Sequence, residues 1–300
     1  MKVLVYGATG SQQFPVIAAL QHKGVSVHAV THSESGLQRL QNTGATPVLA
    51  DMADAGRLRE ISKDMDAVSL LVPFFLSNPA DGLQYAMNAI DAARDAGVKL
   101  LVWNTSGFLL PEKTGNIALD LRNDVRDYLQ ESGLPHIIIQ PSVYAENLLG
   151  PWTAPFVKDQ GKLAYPAPVD MPVGWIATGD VATIVAAAIC SPHLAGRSFR
   201  ISGLENLTGD QLALRFSTAL GQDISYHHLP PQQFGAILDS LYGERAGKPA
   251  EEVYQRMAET REYPVTYAPE TKEVLDLLQA RFTSIQDWVT RHRSVFAGVN

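Results

Sequence analysis

Short apolar segments alternate with amphipathic segments along the first 141 residues of the chain. The apolar segments have the length of buried strands, and the segments between them carry apolar residues at helical spacing. This alternation is typical of a parallel sheet that right-handed crossovers cover on both faces. We therefore predict an α/β fold built on a doubly wound parallel sheet. The predicted strands lie at residues 3–6, 25–31, 46–50, 66–72, 100–104 and 136–140.

A glycine-rich turn follows the first predicted strand. Residues 7–10 read Gly-Ala-Thr-Gly, and a segment rich in Ala, Leu and Ile comes after them. Glycine allows a positive φ and leaves no Cβ between the backbone and a ligand, so the N–H groups of the following helix can face a pyrophosphate. The order of strand, turn and helix predicts a dinucleotide site at Gly7, Thr9 and Gly10. The alternative is an ordinary turn between a strand and a helix.

The pattern is looser after the sixth predicted strand. Prolines interrupt it, helical spacing returns at 180–189, and strands are predicted at 197–202 and 224–228. No internal repeat or low-complexity linker marks a boundary in the sequence. We expect residues 1–150 to form a nucleotide-binding domain and residues 151–300 to form a smaller, substrate-binding α+β lobe, with a diffuse boundary across which elements interleave.

Composition and charge exclude several classes of function. The formal net charge is −7, and no basic run offers a surface to phosphate backbones, so direct binding to nucleic acid is not expected. Cys190 is the only cysteine, which excludes an intrachain disulfide and a thiolate metal cluster. The adjacent His227 and His228 face opposite sides of a predicted strand, so no metal site is predicted. Without a signal segment or a stretch of membrane-spanning length, we expect a cytoplasmic protein that binds no membrane.

Motifs at the ends of the predicted strands occur in a recognisable combination. They are Gly-Ala-Thr-Gly at 7–10, Asp51, Val72-Pro73-Phe74, Asn104-Thr105-Ser106-Gly107, the block at 125–147 and the segment at 196–213. Together they resemble the NmrA-like branch of the atypical short-chain dehydrogenase/reductase superfamily. The resemblance covers most of the chain up to about residue 235. It implies a Rossmann-like fold that binds NAD(P)H.

The resemblance implies that the glycine turn and the start of the next helix hold the pyrophosphate. Besides the turn itself, these residues are Ser11, Gln12 and Gln13. Gln13 stands at the position of the family's third glycine, which normally allows close packing of helix and strand. A glutamine there implies a shifted helix start or a side chain that reaches toward the phosphates.

The end of the second predicted strand bears on the choice between NAD and NADP. An NAD enzyme places Asp or Glu there to bind the ribose hydroxyls, whereas this chain has Thr31, His32 and Ser33. The missing carboxylate favours NADP(H) as cofactor, with NAD(H) as the alternative. The arginine that is usual in the family at this point is absent too. For His32 and Ser33, the alternative is a role as solvated loop residues.

Further cofactor contacts are implied after the third to sixth strands. Asp51 would contact the adenine edge and Met52 would lie on the ring, while the alternative for Asp51 is the N-cap of a helix that starts at Ala53. The remaining implied contacts are Val72, Pro73, Phe74, Asn104, Arg122, Pro141, Ser142, Tyr144 and Asn147.

The superfamily's usual proton donor is replaced in this chain. Ordinary short-chain dehydrogenases use a Tyr-x-x-x-Lys pair, in which the lysine lowers the tyrosine pKa. Alignment with the family puts Ala118 at the tyrosine position and Arg122 at the lysine position. Arginine cannot relay a proton, but it can hold a ribose hydroxyl or an oxyanion. The candidate catalytic residues are Arg122, Thr105 and Ser106, for which a solvated helix residue and two turn formers are the alternatives.

Two functions remain open at this stage. The first is an NAD(P)H-dependent reductase of a small apolar acceptor such as a quinone or an enone. The second is a catalytically silent NADP(H) sensor that reports to a regulatory protein partner, as some family members do. Either function allows a homodimer. The residues predicted to line a substrate cleft, with core packing as the alternative, are Phe75, Tyr144, Trp152, Phe156 and Trp175.

Overall fold

A computed structural model of the chain describes residues 1–73, 76, 78, 80–115, 117–243, 247–260 and 266–297, apart from the side chains of residues 118, 119 and 260. The chain divides into two compact units, and each unit takes three segments of the chain. The first unit comprises Met1–Pro141, Thr178–Arg200 and Lys272–Ala280. The second comprises Ser142–Ala177, Ile201–Thr271 and Arg281–Asn300.

The apolar runs of the sequence form the strands. The six strands predicted before residue 142 are confirmed, and their ends differ from the predicted ones by at most 1 residue. The strands are β1 Lys2–Val5, β2 Ser26–Thr31, β3 Thr46–Leu49, β4 Ala67–Leu71, β5 Leu100–Asn104, β6 His136–Pro141, β7 Lys162–Tyr165, β8 Ser198–Ile201 and β9 Ser225–His228.

A seven-stranded sheet forms the centre of the first unit, in the order β3-β2-β1-β4-β5-β6-β8. Neighbouring strands from β3 to β6 run parallel. The order reverses between β1 and β4, and sheets of this kind bind ligands at that switch point, beyond the carboxyl ends of the strands. Because β3 is an edge strand, it tolerates Pro47, which has no N–H to donate. The predicted doubly wound parallel sheet is confirmed.

Helices alternate with the strands of this sheet and surround the strands of the second unit. Along the described part of the chain, no helix is both long and apolar enough to span a bilayer. The helices are α1 Phe14–Gln21, α2 Glu34–Leu40, α3 Ala55–Ser62, α4 Ala80–Asp95, α5 Ile117–Glu131, α6 Ala154–Gln160, α7 Thr178–Ile189, α8 Gly209–Leu220, α9 Pro231–Tyr242, α10 Lys248–Thr260, α11 Thr271–Leu278, α12 Ile285–Arg291 and α13 Arg293–Phe296.

The sheet of the first unit is buried on both faces. Leu70 and Trp103 pack in one cluster with Ile90 of α4 and Val125 of α5. Residues that face the other side of the sheet, such as Val102, are buried as well, because α7 packs against β4, β5 and β6. Burial on both faces explains why these strands read as continuous apolar runs rather than as alternating ones. The carboxyl ends of the strands are therefore held by a rigid core.

The second unit is α+β, as predicted. Its two strands, β7 and β9, pair in parallel, with Tyr165 opposite His228. β9 was predicted, whereas β7 was not, because its four residues directly follow the end of α6. That helix ends at Gly161, which has a φ of 63°. A run this short between a helix and proline-rich sequence carries too little periodicity to identify a strand.

Candidate functional site

The glycine turn after β1 has the geometry that only glycine allows at low cost. Gly7 has a φ of 67°, which is the left-handed region. The Gly10 N–H donates to the Gly7 carbonyl at 2.9 Å. A Cβ on Gly10 would lie 3.3 Å from that carbonyl oxygen, closer than an ordinary contact. The turn is thus a compact backbone loop that has no side chain at either glycine.

The backbone between this turn and α1 supplies donors for an anion. The N–H groups of Phe14 and Val16 donate to the Gly10 and Gln13 carbonyls at 2.9 and 3.0 Å, whereas those of residues 11–13 have no acceptor among the described residues. Gln13 provides no side-chain cap for α1, and the first turn carries no acidic residue. Pro15 lies in this first turn, where its missing N–H costs least. The backbone N–H groups of Ser11, Gln12 and Gln13 are therefore suited to bind phosphate oxygens.

The Gln13 side chain itself points away from any phosphate. It is fully buried, and its Nε2 donates to Ser69 Oγ at 3.1 Å, while Ser69 Oγ donates to its Oε1 at 3.2 Å. Ser69 lies on β4, so this amide fills the space between α1 and the sheet. The expectation of a side chain that reaches toward the phosphates is wrong on this placement. Gln13 remains a predicted cofactor contact through its backbone N–H alone.

A cavity of about 520 Å³ lies beside the glycine turn, at the carboxyl ends of β1 to β4. Its position is the switch point of the sheet. The structure brings together here many of the predicted cofactor residues, from the turn and from three further strand ends. The predicted residues that line the cavity are Gly7, Thr9, Gly10, Thr31, His32, Asp51, Met52 and Pro73.

Several cavity-lining residues were missed by sequence reasoning. Apolar residues at strand ends, such as Tyr6 and Leu71, are hard to distinguish from core residues in a sequence. The only available signal for Tyr6 is that it directly precedes the glycine turn. Tyr85 lies on α4, and no motif marks it. The residues missed are Tyr6, Val30, Ala50, Leu71, Leu76 and Tyr85.

The residues at the end of β2 and just after it cap α2 and also line the cavity. Ser33 Oγ accepts the Gly36 N–H at 3.1 Å and caps α2. Thr31 is buried, and a Cβ on Gly36 would clash with its Oγ1, so only glycine fits at this position in the first turn of α2. His32 is exposed at the cavity. Ser33 does not line the cavity, and its role as a cofactor ligand stays a prediction.

The predicted alternative for Asp51, a helix N-cap, is wrong. Helix α3 begins at Ala55, and its N-cap is Asp54, whose Oδ1 accepts the Arg57 N–H at 2.9 Å. Asp51 Oδ1 instead accepts the Ala53 N–H at 2.9 Å in the turn before the helix. One carboxylate oxygen thus holds the turn, and the Asp51 side chain stays at the cavity. An aspartate after β3 does cap α3, as the sequence predicts, but it is Asp54, three residues after Asp51.

The turn between β5 and α5 is held by its own polar groups. Ser106 has a φ of 56°, an uncommon conformation for a residue with a side chain. Its N–H donates to Asn104 Oδ1 at 2.9 Å. Arg122 donates through Nε to the Thr105 carbonyl at 2.7 Å and through Nη2 to the Ser106 carbonyl at 3.3 Å. Gln12 Nε2 donates to Ser106 Oγ at 2.7 Å, which joins this turn to the glycine turn.

These contacts bear on the predicted catalytic residues. Arg122 is half-buried and bonded to the turn, so the alternative of a solvated helix residue is wrong. Thr105 is fully buried, and its hydroxyl donates to the Gly107 carbonyl two residues on at 2.5 Å, which is the turn-forming alternative. Ser106 presents a hydroxyl that receives a hydrogen bond and can still donate one. A catalytic role for any of the three stays a prediction.

The other predicted cofactor contacts are spread over the two units. Val72 is buried after β4 and Pro141 ends β6, both in the first unit. Ser142 and Asn147 belong to the second unit, where Ser142 Oγ donates to the Gly174 carbonyl and Asn147 Nδ2 donates to Tyr165 Oη at 3.4 Å. Phe74 and Phe75 lie outside the described residues.

Most aromatic residues of the predicted substrate cleft are buried in the second unit. Trp152 and Trp175 belong to its core cluster, and Trp152 meets Phe234 edge-on with ring centroids 5.2 Å apart. Tyr144 is buried too, and Phe156 is half-buried. For the two tryptophans the structure supports the alternative of core packing. A contact of any of these residues with a substrate stays a prediction.

The buried tyrosines of the second unit are poor acids near neutral pH. Burial raises the pKa of Tyr165 to about 12, and its hydroxyl lies 2.7 Å from that of Tyr254. Burial also raises the pKa of Tyr226, whose hydroxyl donates to the Ala167 carbonyl at 2.6 Å. Both groups stay protonated and hydrogen-bonded within the core. They do not replace the missing tyrosine acid.

Comparison with known proteins agrees with this architecture. A model of the NmrA-like family matches residues 1–289. The chain belongs to the NmrA-like family. It is 25% identical over 224 residues to an NAD(P)H azoreductase from Xenophilus azovorans, a match that covers 75% of this chain and 76% of the azoreductase. It is 25% identical over 242 residues to quinone oxidoreductase 2 of Escherichia coli, with 80% and 82% of the two chains covered.

Solved structures of NmrA-like proteins share the fold. The NADPH complex of an NADPH-dependent quinone oxidoreductase from Escherichia coli superposes with a TM-score of 0.79 at 23% identity, over 97% of this chain and 99% of the other. NmrA, a negative transcriptional regulator, superposes with a TM-score of 0.76 at 19% identity, over 98% and 95% of the two chains. The same fold is therefore found in a reductase and in a regulator.

Proposed function

We propose that this protein is an NAD(P)H-dependent oxidoreductase that reduces a small apolar acceptor, such as a quinone or an enone, by hydride transfer. The observation that carries the proposal is the cavity of about 520 Å³ between the glycine turn and the ends of β1 to β4. Volumes of this size accommodate small ligands and cofactors. Two relatives at 25% identity, an azoreductase and a quinone oxidoreductase, support an oxidoreductase function.

The residues present fit a dinucleotide. The turn at Gly7 and Gly10 leaves a cradle without side chains, which a Cβ would fill. The adjacent N–H groups at the start of α1 would hold the pyrophosphate. Asp51 and Met52 would hold the adenine, with His32 beside its ribose, and NADP(H) is preferred because β2 ends without a carboxylate. When bound, the cofactor supplies the hydride from its nicotinamide ring.

The available proton donors narrow the class of acceptor. Ala118 stands where the superfamily has its tyrosine acid. Arg122 carries a guanidinium, which stays protonated in proteins, so it cannot release a proton near neutral pH. Hydride addition to a quinone gives a weakly basic oxygen that can take its proton from water, whereas a simple ketone gives a strongly basic alkoxide. The proposal therefore favours quinones and enones over simple ketones.

The proposal is tested by binding and by turnover. Titration with NADPH, NADP⁺, NADH and NAD⁺ by calorimetry gives the four dissociation constants. Oxidation of NADPH is then followed at its nicotinamide absorbance with a panel of benzoquinones, naphthoquinones, enones, azo dyes and simple ketones. We expect tighter binding of NADPH than of NADH, and turnover with quinones but not with simple ketones. Absence of nucleotide binding would refute the proposal.

A nucleotide sensor is the second candidate function, and the alanine at position 118 is the observation that favours it. A sensor needs the nucleotide site but no proton donor, and it would act through a protein partner. In the titration above it would bind NADPH as tightly as a reductase does. Tight binding without turnover over the whole panel would select the sensor and reject the reductase.

A further inference from the structure

A permanent positive charge lies at the rim of the cavity. Arg39 is exposed on α2, and its Nη1 donates to the Thr9 carbonyl at 2.9 Å. Its guanidinium stacks on the Phe14 ring, with the guanidinium carbon 4.8 Å from the ring centroid. These two contacts hold the guanidinium in place. Arg39 is thus held against the glycine turn although it lies thirty residues further along the chain.

The cavity itself has little positive charge for a phosphate. Among the described residues that line it, none is a lysine or an arginine. His32 is the one basic side chain among the described residues that line it. Thr9 lines the cavity and also accepts the bond from Arg39. The guanidinium therefore touches the cavity wall on the side of the turn.

Most donors of this guanidinium are available for a ligand. A guanidinium has five N–H donors in a planar fork. Among the described residues, the Thr9 carbonyl is the one acceptor within hydrogen-bond distance of Arg39. The residue as a whole is exposed to solvent. Arginine is well suited to phosphate because its fork can make two parallel bonds to phosphate oxygens.

We infer that Arg39 binds the 2′-phosphate of NADP(H) and determines the preference for NADP(H) over NAD(H), an inference that rests on the proposed function. The adenine ribose would lie between the end of β2 and the glycine turn, and the guanidinium lies against that turn. Arg39 takes the place of the arginine that is missing directly after β2. It does so from α2, because its long side chain reaches back to Thr9.

The test compares NADPH with NADH in matched variants. Arg39→Gln keeps the length and the polarity of the side chain but removes the charge. Arg39→Lys keeps the charge but loses the fork. Arg59→Gln removes the same charge from α3, where Arg59 pairs with Asp95 at 3.5 Å, and serves as the control. Dissociation constants for NADPH, NADH, 2′,5′-ADP and 5′-AMP are measured by calorimetry at low and at moderate salt, after circular dichroism has verified the fold.

We expect Arg39→Gln to weaken the binding of NADPH and 2′,5′-ADP by about tenfold or more, since a hydrogen bond to a charged group contributes this much. Binding of NADH and 5′-AMP should stay within about twofold of wild type, because neither ligand has a 2′-phosphate. The NADPH affinity of Arg39→Lys should lie between those of wild type and Arg39→Gln. The salt dependence of NADPH binding should decrease in Arg39→Gln, and Arg59→Gln should match wild type.

Two results would overturn the inference while leaving the proposed function intact. Equal loss of NADPH and NADH binding in Arg39→Gln would mean that Arg39 only holds the turn. An unchanged ratio of the two dissociation constants with no loss of affinity would mean that the 2′-phosphate lies elsewhere. Failure of the wild-type protein to bind any of the nucleotides would instead refute the proposed function together with the inference.

Discussion

Two polar turns of the first unit, one after β1 and one after β5, differ in how their hydrogen-bonding groups are used. In the first, Gly7 and Gly10 form a bare loop, and α1 begins without a side-chain cap. In the second, Asn104 and Arg122 bond to the backbone of Thr105 and Ser106. The first turn leaves donors for a ligand, whereas the second uses its donors to fix itself.

This difference indicates that the turn after β1 binds a ligand and that the turn after β5 positions its own residues. The N–H groups of residues 11–13 have no acceptor among the described residues, so the turn after β1 gains most when an anion is bound. The turn after β5 is already satisfied, and Ser106 is held in a left-handed conformation by its neighbours. Backbone strain of this kind persists only where the surroundings impose it. We therefore expect mutations in the first turn to act on binding and mutations in the second to act on position and stability.

The largest effect is expected from Gly10→Asp in the turn after β1. The new carboxylate would lie beside the N–H groups of residues 11–13, where it repels the pyrophosphate. Nucleotide binding should fall by at least about a hundredfold, which calorimetry measures directly. The matched control is Gly179→Asp, which adds the same side chain in open space in the first turn of α7, at a backbone conformation that any residue adopts. Full affinity in Gly10→Asp would place the pyrophosphate elsewhere.

Arg122→Met should lower turnover without a change in the pH optimum. The variant loses two charge-assisted hydrogen bonds to the turn carbonyls, each of which contributes about 1.5–3 kcal/mol. Release of the turn should misplace Ser106 and reduce turnover about tenfold to a hundredfold, together with a lower free energy of unfolding. The pH profile should keep its inflections, because arginine does not titrate below about pH 12.

A lysine at position 122 tests whether Arg122 acts through its positive charge or through the geometry of its hydrogen bonds. Arg122→Lys keeps the positive charge but cannot bond two carbonyls through a rigid fork. If the residue acts by position, the lysine variant should resemble Arg122→Met in both turnover and stability. Full activity in Arg122→Lys would show that the charge alone matters, and the distinction between the two turns would then fail.

Sequence reasoning found what is encoded locally. The strands and the glycine turn were predicted because apolar runs and glycines are short-range signals. The contacts of Arg39 and Arg122 with the two turns were not, since each depends on where a helix lies relative to a loop that is distant in the chain. Likewise, β7 depends on β9, its partner more than sixty residues further along. For Asp51, a correct local signal was placed three residues early, because two aspartates follow β3 in close succession.

A smaller effect is expected from Gln13→Gly, which introduces the glycine that is usual in the family. The variant removes the buried partner of Ser69 Oγ and leaves a space under α1. An unsatisfied buried hydroxyl costs about 1–3 kcal/mol, so urea denaturation should show a loss of about 2 kcal/mol. Gln13→Gly combined with Ser69→Ala should recover part of that loss, because no hydroxyl is then left unpaired. NADPH affinity should change little if only the Gln13 backbone contacts the phosphates.

The smallest effect concerns Ser106, where Ala and Gly test whether the turn after β5 is strained. Both substitutions remove the hydroxyl that accepts from Gln12 Nε2, but only glycine adopts a φ of 56° without cost. Ser106→Gly should therefore be about 1 kcal/mol more stable than Ser106→Ala in urea denaturation. At Ser225, on the exposed edge of β9, the order should reverse, since glycine weakens an extended strand. An alanine variant at 106 as stable as the glycine variant would show that this turn stores no strain, and its rigidity would then rest on the hydrogen bonds with Asn104 and Arg122.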